Sequence, residues 1–247
     1  MGLTVHYQIK APLKTSATKA RQLVMAARAI AVRFQREGMV QHVGTMSTDA
    51  GSLNRFATNF LSLPVPGEPN TFTGAEVVPL KGWLFMVNVG QDCEPLRIGL
   101  CRYPATVKFQ GRELSTKLGN GWRFCGFSKT QYASLHGWEH FLRCHRAVID
   151  LLAALRPLGF RVRITDEGEY WPRRSIAALR RNVGHMNALV AGMAGALKDA
   201  DGAEGIESPI FAHKDFERLE AEGEARVGEA VRQLQGEISR MLQKPEN

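Results

Sequence analysis

Apolar and polar residues alternate from the start of the chain. Leu3, Val5, Tyr7 and Ile9 interleave with Thr4, His6, Gln8 and Lys10, which predicts a strand with one apolar and one polar face. His6 would lie on the face turned away from the core. Pro12 closes this strand, and Ser16 caps a helix to about Arg36, whose Ala17, Ala20, Leu23, Val24, Ala27, Ile30 and Ala31 recur at helical spacing. From Met39 to Lys81 the pattern weakens to strand-like pieces near His42 to Met46 and the passage LSLPVPGEPNTFTG. Its prolines forbid a regular hydrogen-bond ladder, so it reads as an exposed connection or a lid.

GWLFMVNV (82–89) is apolar on both faces, as in a strand covered on two sides, and Leu96, Ile98 and Leu100 alternate in the next strand. PATVKFQGRELSTKLGNG gives a short strand and a polar loop. The most informative stretch, 121–171, then reads as strand, long helix, strand. Residues 122–128 form the first strand. The helix runs from about Ser134 to Arg156 with Phe141, Cys144, His145, Val148, Leu151, Leu152 and Leu155 on one face, and Phe160, Val162 and Ile164 belong to the closing strand. A crossover of this length joins like-directed strands, so the two strands are expected side by side. After Pro172 a second helix carries Arg173, Arg174, Arg180 and Arg181 opposite an apolar side, and its Gly184, Ala188, Gly192 and Ala196 would let a neighbouring backbone approach closely. A charged helix from Asp215 to Leu242 ends the chain. The fold class is α+β, a mixed β-sheet with helices packed on it and a C-proximal β-α-β unit. Residues 1–200 form the body, and 201–247 form a loop and helix packing on it or on a second copy.

Charge changes this picture in one respect. The net charge is +8, but residues 201–247 hold six Lys and Arg against eleven Asp and Glu, a balance of −5, so the first 200 residues carry +13. A basic body attracts phosphate, nucleic acid or acidic protein surfaces. The four cysteines, Cys93, Cys101, Cys125 and Cys144, show no CxxC spacing, so a reduced, cytoplasmic setting is expected. The start of the chain lacks a signal-peptide pattern, and no apolar run approaches the roughly 20 residues that cross a bilayer, so no membrane partner is expected.

Candidate chemistry gathers where the two strands of 121–171 end. If both point the same way, SKTQY (128–132) and DEGEYW (166–171) meet at one sheet edge beside the start of the helix, where a small anionic ligand would be favoured. Lys129, Thr130, Gln131 and Tyr132 would donate, and Arg173 follows nearby. Asp166, Glu167 and Glu169 would accept or act as general base, and Tyr170 and Trp171 would wall the pocket. His145, in the apolar stripe, would join Asp166 and Glu167 in acid-base work if buried beside them. The same residues also read as ordinary turn residues, with Ser128 and Gln131 as a capping box, and His145 as a core histidine with satisfied nitrogens.

His136, His140 and Cys144 fall on one helix flank at i, i+4 and i+8, a spacing able to hold zinc if Asp166, Glu167 or His6 completes the set. No HExxH, dinucleotide or P-loop pattern is present. Two other readings stand beside the small-ligand site. In one, the chain acts by interaction, self-associating through the C-terminal helix. In the other, the arginine side of the second helix, with Arg161 and Arg163 on the preceding strand, grips phosphate or nucleic acid; it ranks lower because no interleaved aromatics accompany the arginines.

Overall fold

The alternating opening of the chain forms β1 (Thr4–Lys10), which lies inside the sheet rather than at its edge. A computed structural model describes residues 3–64, 71–198 and 207–226. After β1 come α1 (Ala17–Arg36), β2 (His42–Val43), α2 (Ala50–Ala57), β3 (Asn59–Pro64), β4 (Phe72–Val77), β5 (Lys81–Asn88), β6 (Leu96–Arg102), β7 (Thr106–Phe109), β8 (Arg112–Ser115) and β9 (Arg123–Lys129). A 3-10 turn at Gln131–His136 leads into α3 (Trp138–Ala154), then β10 (Arg161–Asp166) and α4 (Ile176–Lys198). The class is α+β.

The main sheet has the order β10-β1-β9-β6-β5-β2, with antiparallel pairing throughout. β9 and β10 point the same way, as the crossover requires, but they are not neighbours: β1 is inserted between them and pairs with both. This corrects the side-by-side expectation. The physical reason is that β1 offers two free edges early in the chain, and each later strand takes one.

Helices α1 and α3 pack against each other and cover one face of the sheet. Val5, Tyr7 and Ile9 of β1, Phe124 of β9, Ile164 of β10 and Leu96, Ile98 and Leu100 of β6 are buried on that face. Ser16 caps α1 through a bond from the Lys19 N–H to its hydroxyl. The apolar stripe of α3 is buried as expected, Phe141, Cys144, His145, Val148, Leu151 and Leu152 among it.

Three local expectations change. The segment Gln131–His136 is a 3-10 turn, and α3 begins only at Trp138 after Gly137, whose φ of 91° breaks the helical path. The capping box of Ser128 and Gln131 therefore does not form. The second helix starts at Ile176, leaving Arg173 and Arg174 in the preceding turns. The weakly patterned passages contain α2 and two hairpins, β3-β4 and β7-β8, in place of loops. Residues 65–70 of the proline-rich passage lie outside the described residues.

At the far end, helical residues 216–226 cross α4 where small residues face each other. A Cβ on Gly192 would meet the Gly223 carbonyl carbon at 2.9 Å, and Ala188, Ala191, Ile210 and Leu219 form a small separate core there. The close approach anticipated from Ala188 and Gly192 is thus made by the chain's own C-terminal segment. The rest of the expected helix to Leu242 lies outside the described residues. Among the described residues no helix is long and apolar enough to cross a membrane.

Gly99 in β6 sits where a side chain has no room. A Cβ there would run into the Trp83 carbonyl oxygen and approach the Leu84 Cβ to 2.7 Å. Gly99→Ala should therefore destabilise the fold by about 1–3 kcal/mol. Urea unfolding monitored by tryptophan fluorescence would read this, and an unchanged midpoint would contradict the packing described.

Candidate functional site

The ends of β9 and β10 do meet at one edge, on either side of the start of β1: Thr4 pairs with Lys129, and Val5 with Asp166. What they build there is a continuous hydrogen-bonded junction. The Thr130 N–H bonds the Leu3 carbonyl, the Leu3 N–H bonds Gln131 Oε1 at 3.0 Å, and Gln131 Nε2 donates to Asn187 Oδ1 of α4 at 3.0 Å. Asn187 in turn donates to Ser134 Oγ. Glu167 Oε2 accepts the Thr4 N–H at 2.8 Å, and its Oε1 lies 3.2 Å from His6 Nε2.

At the centre is a buried chain of three side chains. Thr130 Oγ1 lies 2.9 Å from His145 Nδ1, and His145 Nε2 lies 3.2 Å from Asp166 Oδ1. The Asp166 carboxylate also accepts the N–H groups of Gly168 at 2.8 Å and Trp171 at 2.9 Å. With a proton on Nε2, His145 donates to Asp166, and the Thr130 hydroxyl meets Nδ1 either way, donating to it in the neutral ring and accepting from it in the protonated one, which satisfies both ring nitrogens. Phe141 and Tyr170 lie against the ring, at centroid distances of 5.6 and 6.1 Å. Burial pushes the Asp166 carboxyl up, but the His145 hydrogen bond and charge, with the two backbone N–H groups, outweigh it and hold the carboxyl below its ordinary range. The side chains of His145 and Asp166 are both 0% exposed.

The sequence thus brings together Thr130, Gln131, His145, Asp166 and Glu167, and the structure ties their polar atoms to one another. Lys129 is partly exposed and lies 3.7 Å from Glu94. Tyr132 is half-buried, Glu169 and Arg173 are exposed, and Tyr170 is buried. Arg174 pairs with Asp150 and stacks on Tyr170 and Trp171, while Arg180 stacks on Trp138 at 4.6 Å. The four arginines of that region therefore do not form one free cationic side.

The expected zinc flank is also rearranged. His136 Nε2 bonds Asp92 at 2.5 Å, His140 Nε2 lies 3.2 Å from the Gln91 carbonyl oxygen, and Cys144 Sγ lies 3.6 Å from His140 Nε2. Asp166, Glu167 and His6 are engaged elsewhere. Among the described residues no group of three or more His, Cys, Asp or Glu side chains is placed to hold a metal ion. The neighbouring Cys93 thiol holds Cys144 below the ordinary thiol range against the opposing effect of burial, helped by the Arg143 and His136 charges; the same pairing, with burial, pushes Cys93 up.

A different surface carries a second set of charged groups, of which His6 pairs with Glu167, Lys129 with Glu94, and Arg123 donates to the Lys117 and Asn120 carbonyls. Alternation along the strands puts His6, Gln8 and Lys10 of β1 on the face away from α1 and α3, and the register aligns them with residues of both neighbours. Arg161, Lys10 and Arg123 form one cross-strand row, Arg163, Gln8 and Cys125 the next, and Thr165, His6 and Phe127 the third. Arg161, Arg163, His6 and Phe127 are exposed, Phe127 to 42%. The Phe127 ring lies 6.2 Å from that of His6, with Lys129 Nζ 5.9 Å from its centroid. At the β10 edge a cleft of 470 Å³ is lined by Gln8, Lys10, Arg156, Arg161 and Arg163 with no carboxylate. A smaller cleft of 240 Å³ beside α3 mixes Arg143 and Arg146 with Glu139 and Asp150. Period-2 alternation marks Lys10, Phe127, Arg161 and Arg163 as polar-face positions in the sequence, but only strand order shows that they share one surface. Comparison with family models, curated proteins and solved structures returns no match.

The buried Thr130–His145–Asp166 chain makes a definite demand on stability. Asp166→Ala leaves His145 Nε2 and two backbone N–H groups without their acceptor and should cost about 3–5 kcal/mol at neutral pH. Because the folded carboxyl titrates below its unfolded value of about 4, its contribution is present above that value and fades as pH falls through the lower folded one. Denaturant unfolding of both proteins across that acid range should show the gap narrowing; a gap independent of pH would refute the role given to the carboxylate.

Proposed function

We propose that the protein binds single-stranded nucleic acid on the open face of β10, β1 and β9. The observation that carries this reading is the cross-strand row Arg161, Lys10 and Arg123, two rows away from the exposed Phe127 and His6 pair. Like charges directly opposite each other destabilise a sheet, and a polyanion laid over the row offsets that repulsion. Aromatic side chains on a sheet give bases a stacking surface whatever their identity, and flanking cations hold the backbone. The two features lie four residues apart along a strand, about 14 Å at 3.4 Å per residue, so one strand of nucleic acid spans both. The cationic cleft at the β10 edge extends the same track, and the +13 charge of residues 1–200 favours encounter with a polyanion.

This reading moves the anion site from the 128–132 and 166–171 edge to the adjoining sheet face. The edge groups are taken up by the junction, whereas Lys10, Arg161 and Arg163 have no carboxylate facing them in the cleft. Nucleic acid therefore takes precedence over the small-ligand reading, and the aromatic that the sequence lacked beside the arginines is supplied by a different strand.

The test is fluorescence anisotropy of a labelled single-stranded oligonucleotide with the full chain. Neutralising about four phosphates predicts a log–log salt slope near −3 between about 50 and 200 mM salt. Phe127→Ala should weaken binding by about 1–3 kcal/mol, and Lys10→Ala with Arg161→Ala should flatten the salt slope by about 1–2. Absence of saturable binding at low salt, indifference to these exposed-residue variants, or equal affinity for a mononucleotide would each reject the proposal.

A further inference from the structure

At the β10 border of the open face the cations change their setting. β10 is the outermost strand of the sheet, and its exposed Arg161 and Arg163 stand opposite Lys10 and Gln8 of β1. A fourth cation joins them from the end of α3. Arg156 opens the 3-10 turn Arg156–Leu158; its Nη2 donates to the Val162 carbonyl of β10 at 3.0 Å, and its guanidinium carbon lies 4.9 Å from the centroid of the Trp171 ring. These two contacts hold the guanidinium at the rim of the 470 Å³ cleft that it shares with Lys10, Arg161 and Arg163. Among the described residues the ion pairs involve none of these four cations. Arg123, at the other end of the cross-strand row, instead spends its guanidinium on the Lys117 and Asn120 carbonyls, and Lys129 lies beside Glu94. Positive charge without a counter-charge is therefore gathered at the β10 end of the face.

We propose that this cleft binds the terminal phosphate monoester of a single strand, so that the protein recognises a phosphorylated end. The inference rests on the nucleic-acid reading of the open face and goes one step further. Two features set an end apart from an internal linkage. The first is charge: an internal phosphodiester brings one negative charge, whereas a monoester at neutral pH brings about −1.5 to −2 and three acceptor oxygens. Four cations around one cleft exceed what a single diester neutralises, and the planar forks of Arg156, Arg161 and Arg163 offer paired N–H groups to those oxygens. The second is position. Arg161 is the first residue of β10, so the turn that carries Arg156, with the buried Phe160 after it, stands at that end of the strand and lines the cleft. A nucleic-acid strand laid from Phe127 towards the Arg161 row comes up against this turn, and β10 has no further strand beside it over which the path could continue. The 5′ and 3′ ends can carry the same group, and the experiment separates them.

That experiment is fluorescence anisotropy of the full chain with one internally labelled oligonucleotide in three forms: 5′-phosphorylated, 3′-phosphorylated, and with hydroxyls at both ends. One phosphorylated form should bind about 10-fold more tightly than the hydroxyl form, the scale of a charge-assisted hydrogen bond, and the end that gives the gain is the one the cleft holds. Arg156→Ala with Arg163→Ala should reduce this preference to about 2-fold or less, whereas Phe127→Ala should weaken all three forms alike and keep it. Arg163→Ala alone, an exposed position on the strand face, should already lower the preference by about 3-fold and serves if the double variant does not fold. Equal affinity for the three forms, or an equal gain from a phosphate at either end, would overturn this inference and leave binding on the sheet face standing. A preference that survives loss of Arg156 and Arg163 would place the phosphate elsewhere and overturn it too, while failure of all three forms to bind would remove both readings.

Discussion

The fold turns on a buried chain of polar contacts from Thr130 through His145 to Asp166, at the point where β9 ends, β1 begins and β10 ends. Burying an imidazole and a carboxylate away from water is costly unless every donor and acceptor finds a partner. Here both ring nitrogens are met, and the carboxylate accepts from the ring and from two backbone N–H groups. That satisfaction fixes α3 against the sheet, because His145 is a helix residue while its two partners close the flanking strands. It also fixes the turn 166–171, since only a turn that folds back on Asp166 delivers the Trp171 N–H to it. Gly168 allows this: a Cβ there would strike Leu179 and approach Asp166 Oδ1 at 3.1 Å.

A junction so completely bonded has consequences for chemistry. Thr130, His145 and Asp166 follow the order of a nucleophile, a base and an orienting acid, yet each is closed off from solvent, and the Thr130 hydroxyl is committed to the ring. An arrangement that serves catalysis needs an open position beside the nucleophile. Among the described residues the three side chains are buried against one another, and their hydrogen bonds hold three strands in register. Holding them in register is also what keeps the rows of the opposite face aligned, since a slip of one residue along β1 would turn His6, Gln8 and Lys10 inward.

Much of the body was legible in sequence because periodicity reports burial directly. The stripe of α3, the alternation of β1 and the Ser16 cap are local, and each appears where the residues put it. The junction was half legible: His145 beside Asp166 could be suspected from one histidine in an apolar stripe and one acid after a strand. Its engagement with Thr130 could not, because that depends on the 3-10 turn that Gly137 separates from α3. The place of β1 between β9 and β10 was not legible at all, since alternation marks a strand's faces and says nothing of its neighbours. The same limit hid the open face. Lys10, Phe127 and Arg161 lie on three strands far apart in sequence, and only the pairing register puts them on one surface.

Why the open face is open follows from the composition of its rows. Through β5, β6, β9, β1 and β10 one row reads Gly82, Cys101, Arg123, Lys10 and Arg161, passing from small and apolar to cationic in the width of a single strand spacing. On the apolar side α2 settles onto the sheet, with Leu53 Cδ2 3.1 Å from where a Gly82 Cβ would stand and Phe56 under the Arg97 guanidinium at 4.9 Å. With 8 residues α2 spans about 12 Å, enough for two to three strands at about 4.8 Å each, and it packs on β5 and β9. Extending that cover over β1 and β10 would bury Lys10, Arg161 and Arg163 without counter-charges, which costs several kcal/mol per ion. Among the described residues the half of the sheet face beyond β9 thus stays in contact with solvent, because its own side chains make an apolar cover unfavourable.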